Sequence, residues 1–267
     1  APRSLQDRFN PRHTRFLHLP GKGPWMSSDR GDRIIDHFVT NSRDLTPASL
    51  RQLVRVFYVP LSHDPGVTGH CASVMSRTEL QRADRFTCKH EQDHFKQRRA
   101  FRRFCGATAL GSSRPLSEMV FEETENGRPY LSGVPELWFS FSSCRSGFLG
   151  AWSSTHGIGV DLEDQARNLE AAELAHRFFS ESEASVVESA GGPERLRTFY
   201  QFWSLNEAAL KSIGEGLPFG LDSFEFALGP DPKVIHAPPE HGGAEQFDAC
   251  LIEGTNYCSA VVTRNLA

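Results

Sequence analysis

The sequence runs to 267 residues, 39% apolar and 23% charged, which is material for one large domain or two small ones with a substantial core. Its net charge of −4 argues against a general nucleic-acid binder, and no apolar run approaches the ~20 residues that would span a bilayer. Six cysteines without a C-x-x-C pair, and no signal-like apolar stretch near the start, point to reduced thiols and a cytoplasmic setting.

Residues 1–50, rich in Arg, Pro, Gly, Asp and Ser, lack periodicity and read as an irregular lead-in. Because the chain opens on Ala1 rather than Met, a processed or excised segment is expected. Gln52–Leu61 is apolar through Leu53-Val54 and Val56 to Val59 and closes on Pro60, as a strand does. Ser76 with Glu79 reads as a capping box opening a helical stretch to about Ala109. Phe95, Phe101, Phe104 and Leu110 recur there at near-helical spacing, and the other face is basic, from Arg82 and Arg85 to Arg102 and Arg103. Between Leu116 and Glu163 the period becomes two. Leu137, Phe139 and Phe141 alternate with Trp138, Ser140 and Ser142, and Ser146-Gly147 leads to a partner strand Phe148–Trp152, followed by Ile158–Glu163. Leu169–Phe179 and Ser180–Val187 then read as helices, the second with a capping box of Ser180 and Glu183. Glu194–Ile213 is a long amphipathic helix ended by Gly214, and Phe224–Leu228, Phe247–Ile252 and Tyr257–Val262 are strands. This order predicts an α+β fold with two halves of similar plan, 51–156 and 157–267, after the lead-in of 1–50.

Two stretches carry chemistry. In Gly159-Val160-Asp161-Leu162-Glu163, strand geometry puts Asp161 and Glu163 on one face while Ile158, Val160 and Leu162 turn to the core. Two adjacent carboxylates repel unless a cation lies between them, and hard oxygen donors suit Mg²⁺, although a solvated strand end also presents such pairs. In Phe199 to Leu217, Trp203, Glu207 and Lys211 fall four apart and share a stripe, which an ordinary helix with a Glu–Lys pair would also show.

Together these stretches resemble the Sfp-type 4′-phosphopantetheinyl transferases, from about Ser76 to Phe226. That family's G-[IV]-D-[IV]-E strand stands at Gly159–Glu163, and its F-x-x-x-W-[ST]-x-K-E-[AS]-x-x-K-x-x-G-x-G-L helix at Phe199–Leu217. Its G-[KR]-P turn is similar to Gly127-Arg128-Pro129, its R-F-F-[ST]-x-x-E to Arg177–Glu183, and its L-x-S-F entry to Leu221–Phe224. The resemblance implies a pseudo-twofold pair of α+β subdomains with coenzyme A between them. It also implies Mg²⁺-dependent transfer of the 4′-phosphopantetheine arm to a serine of an acyl or peptidyl carrier protein, releasing adenosine 3′,5′-bisphosphate. By the same resemblance Asp161, Glu163 and Glu207 hold the metal, and Glu207 is the base. Lys211 offsets charge on the leaving phosphate, and Arg82, Arg98, Arg128, Ser142 and Ser143 lie toward the coenzyme. A monomer is expected, with no nucleic-acid or membrane partner.

The pattern is broken twice. Ser143 replaces a histidine that contacts a coenzyme phosphate, and Asn206 replaces the lysine before the metal-binding glutamate, so both changes are expected to remove charge aimed at phosphate. Cys144 reads as a filler. The alternative reading is a weak or inactive homologue that binds a carrier protein or coenzyme A.

Overall fold

The computed structural model describes residues 43–44, 54–111, 115–165, 169–254 and 256–266. The expected lead-in over 1–50 lies outside the described residues apart from Arg43–Asp44, as do Gln52 and Leu53 of the first expected strand. Arg43–Asp44 (β1) pairs antiparallel with Arg55–Pro60 (β2). Four successive apolar residues require cover on both faces of β2, and both are covered. Phe57 and Val59 enter a core with Phe101, Phe104 and Phe148, while Val56 and Tyr58 join a second cluster with Ile158, Val160 and Leu162.

A helix that the sequence reading missed follows, Pro65–Ser73 (α1). Its signal was present: Asp64 Oδ1 accepts from the Gly66 N–H at 2.8 Å and Pro65 occupies the first turn. The single helix expected from Ser76 to Ala109 is two, Arg77–Ala83 (α2) and Lys89–Leu110 (α3). The Ser76–Glu79 capping box forms as expected. The break after Ala83 is held from α3: Gln92 Nε2 donates to the Ala83 carbonyl at 3.1 Å, and Phe86 folds onto Phe95 at 5.4 Å. Gly111, at φ 54°, caps α3 in the left-handed region.

The chain continues through Phe121–Glu123 (β3), Pro129–Leu131 (β4), Trp138–Cys144 (β5) and Gly147–Ser153 (β6). The second half runs His156–Asp164 (β7), Ala171–Phe178 (α4), Glu181–Ser189 (α5) and Gly192–Ile213 (α6). It ends with Glu225–Ala227 (β8), Lys233–His236 (β9), Phe247–Glu253 (β10) and Tyr257–Asn265 (β11). The principal sheets have orders β1-β2-β6-β5 and β10-β11-β7. In each, an opening strand passes through helices to a closing hairpin whose last strand pairs with the first: β2-β6-β5 is repeated by β7-β11-β10. The fold is thus α+β and built twice on one plan.

Between the sheets lies the cluster of Val56, Tyr58, Leu149 and Ala151 with Ile158, Val160, Leu162 and Val261. The opposite face of β7 carries Gly157, Gly159 and Asp161, and α6 packs on it. A Cβ at Gly159 would stand 1.7 Å from the Ala208 carbonyl oxygen, and one at Gly157 would stand 2.4 Å from that of Ser212. Bare backbone on the strand therefore sets how closely α6 approaches. We expect Gly159→Ala to cost about 3 kcal/mol or more by overpacking against backbone. Gly111→Ala, where an added Cβ meets nothing within 4 Å, should cost only the ~1–2 kcal/mol of left-handed strain. Urea unfolding of the two variants checks the difference.

Candidate active site

Helix α6 and strands β5 and β7 meet at a buried carboxylate. Asp161 is 3% exposed. Its Oδ1 accepts from Ser142 Oγ at 3.0 Å, across from β5, and from Lys211 Nζ at 2.8 Å, across from α6. Lys211 Nζ also donates to the Val160 carbonyl at 3.3 Å and lies 3.5 Å from Glu207 Oε2, one helical turn back. The spacing of four residues that aligned Glu207 with Lys211 in the sequence thus brings both to Asp161. Ser140 Oγ, two residues before Ser142 on the same face, accepts from the Val160 N–H at 3.0 Å and fixes β5 against β7.

Burial alone would push the Lys211 ammonium down, but Asp161, Glu207 and Glu163 together hold it above its ordinary range, so it remains charged. Glu207 is pushed up, mainly by burial and in part by Asp161, with Lys211 opposing. That brings its carboxyl closer to neutral pH, where a general base works best. Asp161 Oδ2 is buried with no hydrogen-bond partner. A buried carboxylate oxygen without a donor is costly unless something cationic reaches it.

Among the described residues, no three His, Cys, Asp or Glu side chains stand close enough to hold a metal ion unaided. Mg²⁺ characteristically takes one or two carboxylates and completes its shell with water and ligand phosphate. The orphaned Asp161 oxygen beside a second carboxylate fits that partial donor set.

The remaining residues singled out in the sequence fall in three places. Arg82 and Arg98 lie on α2 and α3, where their guanidinium carbons stand 5.6 and 5.7 Å from the Phe95 ring centre, with Arg99 at 5.3 Å. Arg82 also lines an open cleft with Thr78, Gln81, Arg85 and Phe86. Arg128 stacks on Trp138 at 4.2 Å. Ser143 alternates with Ser142 and so takes the other face of β5, opposite Phe148. There α3 brings Arg102 of the basic face together with a histidine that the sequence did not single out. His94 stacks on Phe148 at 4.7 Å with Nε2 3.0 Å from the Cys144 carbonyl, and Arg102 lies over Phe141 at 5.0 Å. His94, Arg98 and Arg102 are spaced four apart on α3, and of these Arg98 and Arg102 belong to the basic run in the sequence. Burial lowers all three, Arg102 to about 10, with neighbouring cations adding to the effect. Burial also raises the Cys144 thiol, which leaves it a filler.

Asn206 does not face this site. One residue before Glu207, it is rotated about 100° around the helix and is fully buried. Its Nδ2 donates to Glu183 Oε2 at 3.1 Å, and Glu183 Oε1 accepts from the Phe226 N–H at 3.0 Å. The expected capping box of Ser180 and Glu183 is therefore half formed. The Glu183 N–H donates to Ser180 Oγ at 3.3 Å, while its carboxyl turns inward to join α5, α6 and β8. Replacing lysine at 206 removes charge from this interior pair and not from the face that carries Asp161.

Residues 157–262 match the family model of the 4′-phosphopantetheinyl transferase superfamily. The chain is 30% identical over 157 residues to 4′-phosphopantetheinyl transferase psf-1 of Bacillus pumilus, spanning 57% of this chain and 64% of that protein. It is 33% identical over 126 residues to 4′-phosphopantetheinyl transferase Sfp of Bacillus subtilis strain 168, spanning 47% and 55%. Against 4′-phosphopantetheinyl transferase HetI of Nostoc sp. strain PCC 7120 it is 28% identical over 190 residues, spanning 70% and 79%. The matches cover less than two thirds of psf-1 and of Sfp. The second half of the chain is thus similar to the 4′-phosphopantetheinyl transferase superfamily, and the relatives it resembles include Sfp itself.

The Glu183–Asn206 pair yields a pH test. Burial raises Glu183 to about 7, with the Phe226 and Asn206 donors opposing. An acid raised by folding stabilises the fold below its unfolded value, and that contribution is lost as pH rises through about 7. Glu183→Gln cannot ionise, and its amide N–H can donate to Asn206 Oδ1, which has no partner. Relative to wild type the variant should gain about 2–3 kcal/mol between pH 5 and pH 8. Parallel denaturation curves at the two pH values check this.

Proposed function

We propose that this chain transfers the 4′-phosphopantetheine arm of coenzyme A to a serine hydroxyl of an acyl or peptidyl carrier protein, releasing adenosine 3′,5′-bisphosphate. The observation that carries the reading is the buried Asp161–Lys211–Glu207 cluster with its orphaned Asp161 oxygen. Asp161 and Glu207, with Glu163 two residues along the same strand face, would hold Mg²⁺ only once ligand phosphate and water complete its shell, and when bound it neutralises diphosphate charge and stabilises the leaving group. Glu207, raised toward neutral pH, accepts the serine proton. The serine oxygen bonds to the phosphorus that carries the pantetheine arm, and the bond from that phosphorus to the bridging diphosphate oxygen breaks. Lys211 is charged and placed to balance the phosphate that leaves. Ser142 keeps Asp161 turned to this point. Arg82 and Arg98, grouped with Arg99 on Phe95, offer forks for the coenzyme phosphates, and Arg102, over Phe141, supplies charge on the face of β5 that carries Ser143.

The same reading makes the protein cytoplasmic and monomeric. No helix of the described residues is long and apolar enough to cross a membrane, and both halves of the site come from one chain.

Incubation with coenzyme A, Mg²⁺ and apo-carrier proteins, followed by mass spectrometry of the carriers, tests the reading. Wild type should add one phosphopantetheine arm per carrier. Glu207→Gln should slow the reaction about 10²–10⁴-fold while the variant keeps its circular dichroism spectrum. Measurable carrier binding with no mass gain would favour the binding module instead.

A further inference from the structure

The turn between β3 and β4 carries the dipeptide Asn126-Gly127 and is docked on the other half of the fold. Gly127, at φ 84°, closes the turn by donating its N–H to the Thr124 carbonyl at 2.9 Å. The Thr124 N–H donates to the Arg128 carbonyl at 3.0 Å, and Thr124 Oγ1 accepts from the Arg128 N–H at 3.1 Å. The dock itself is the Asn126 carboxamide. Its Nδ2 donates to both Glu215 carboxylate oxygens, at 3.1 and 3.0 Å, and Glu215 stands just past the end of α6, 89 residues away. The Asn126 carbonyl lies against Gly216, where an added Cβ would stand 3.7 Å from it.

Asn126 and Gly127 are both exposed, and a Cβ built on Gly127 meets nothing within 4 Å. Asparagine is a thermolabile side chain, most of all before glycine, whose backbone nitrogen no Cβ shields. The Gly127 nitrogen can add to Asn126 Cγ, whereupon the bond from Cγ to Nδ2 breaks and ammonia leaves. Water then opens the cyclic imide at either carbonyl and yields aspartate or isoaspartate. Only water is consumed. The consequence follows from what Asn126 faces. A carboxylate there has no proton to donate to Glu215, so an attraction becomes a repulsion between like charges. Glu125 adds a further carboxylate in the same turn, and the negative end of α6 disfavours an anion at this place.

We propose that Asn126 is a site of spontaneous deamidation, and that the carboxylate it yields releases the β3–β4 turn from the end of α6. Docking and chemistry oppose each other. While Glu215 holds the carboxamide and Thr124 holds the Gly127 N–H, the carbon and nitrogen that must join are both restrained. Removing Glu215 should therefore hasten the reaction. This chemistry is independent of the transfer reading.

Incubation of the folded chain for several weeks in warm, mildly alkaline buffer, followed by peptide mapping by mass spectrometry, tests the site. The peptide that holds residue 126 should gain one mass unit and separate into aspartate and isoaspartate forms, sooner in Glu215→Ala than in wild type. An asparagine that survives intact at 126 overturns the proposal, and equal rates in the two proteins would show that Glu215 does not restrain the carboxamide. Hydrogen exchange on Asn126→Asp tests the release. The amides of Thr124 and Gly127 should lose protection about 5- to 10-fold, as expected when an exposed hydrogen bond to a charged group is replaced by repulsion. Asn126→Asp combined with Glu215→Gln restores a donor across the dock and should regain most of that protection. If Asn126→Asp alone exchanges as slowly as wild type, the turn stays docked and the proposed release is wrong.

Discussion

An added Cβ on Gly159 would all but coincide with the Ala208 carbonyl, 1.7 Å away, so α6 lies against β7 at backbone distance because that strand position is bare. The rest of the site follows from this approach. At a normal side-chain spacing of 8–10 Å between packed elements, Lys211 would have no reason to end at Asp161. With the helix brought down, one turn of α6 delivers Glu207 and Lys211 to a carboxylate that β5 already holds through Ser142. In that close packing the neighbouring carboxylates raise Lys211 against its burial, while burial raises Glu207 against the pull of Lys211.

Burying such a group is not a route to stability. The desolvation of Asp161 and Lys211 offsets much of their attraction, and breaking such a pair typically costs 3–5 kcal/mol, because one charge is left alone. An interior this well packed could have closed with apolar residues, as the cluster of Val56, Ile158, Val160 and Val261 does on the other face of β7. The carboxylates and the lysine are therefore best understood through what they bind. The duplicated plan matters here as well. Because β2-β6-β5 and β7-β11-β10 repeat one topology, their adjoining strands β5 and β7 form a seam with polar groups at both ends and hydrogen-bonded serines between.

Much of this was legible in the sequence where a local period carried it. Alternation placed Asp161 opposite Ile158, Val160 and Leu162, and the spacing of four put Glu207 and Lys211 on one stripe. Ser76 with Glu79, and Gly214, marked real helix ends. What escaped depends on contacts between residues far apart in the chain. The break after Ala83 is held by Gln92, nine residues on, and Glu183 looked like a cap until its partners proved to be Asn206 and Phe226. Asn206 stands where the resemblance puts a lysine aimed at phosphate, yet it points about 100° away from Glu207 around the helix and meets Glu183 instead. Arg264 and Trp138 carried no local signal at all, since only the pairing of β11 with β7 and the seam with β5 bring them together.

The central claim is that the Asp161 cluster is a partial metal site completed by the coenzyme, and calorimetric titration of Mg²⁺ tests it most directly. In the presence of coenzyme A, wild type should bind one Mg²⁺ per chain, and much more weakly without it. Asp161→Asn should lose that coenzyme-dependent binding while keeping its fold. Mg²⁺ binding that is unchanged in Asp161→Asn, or indifferent to coenzyme A, would contradict the account.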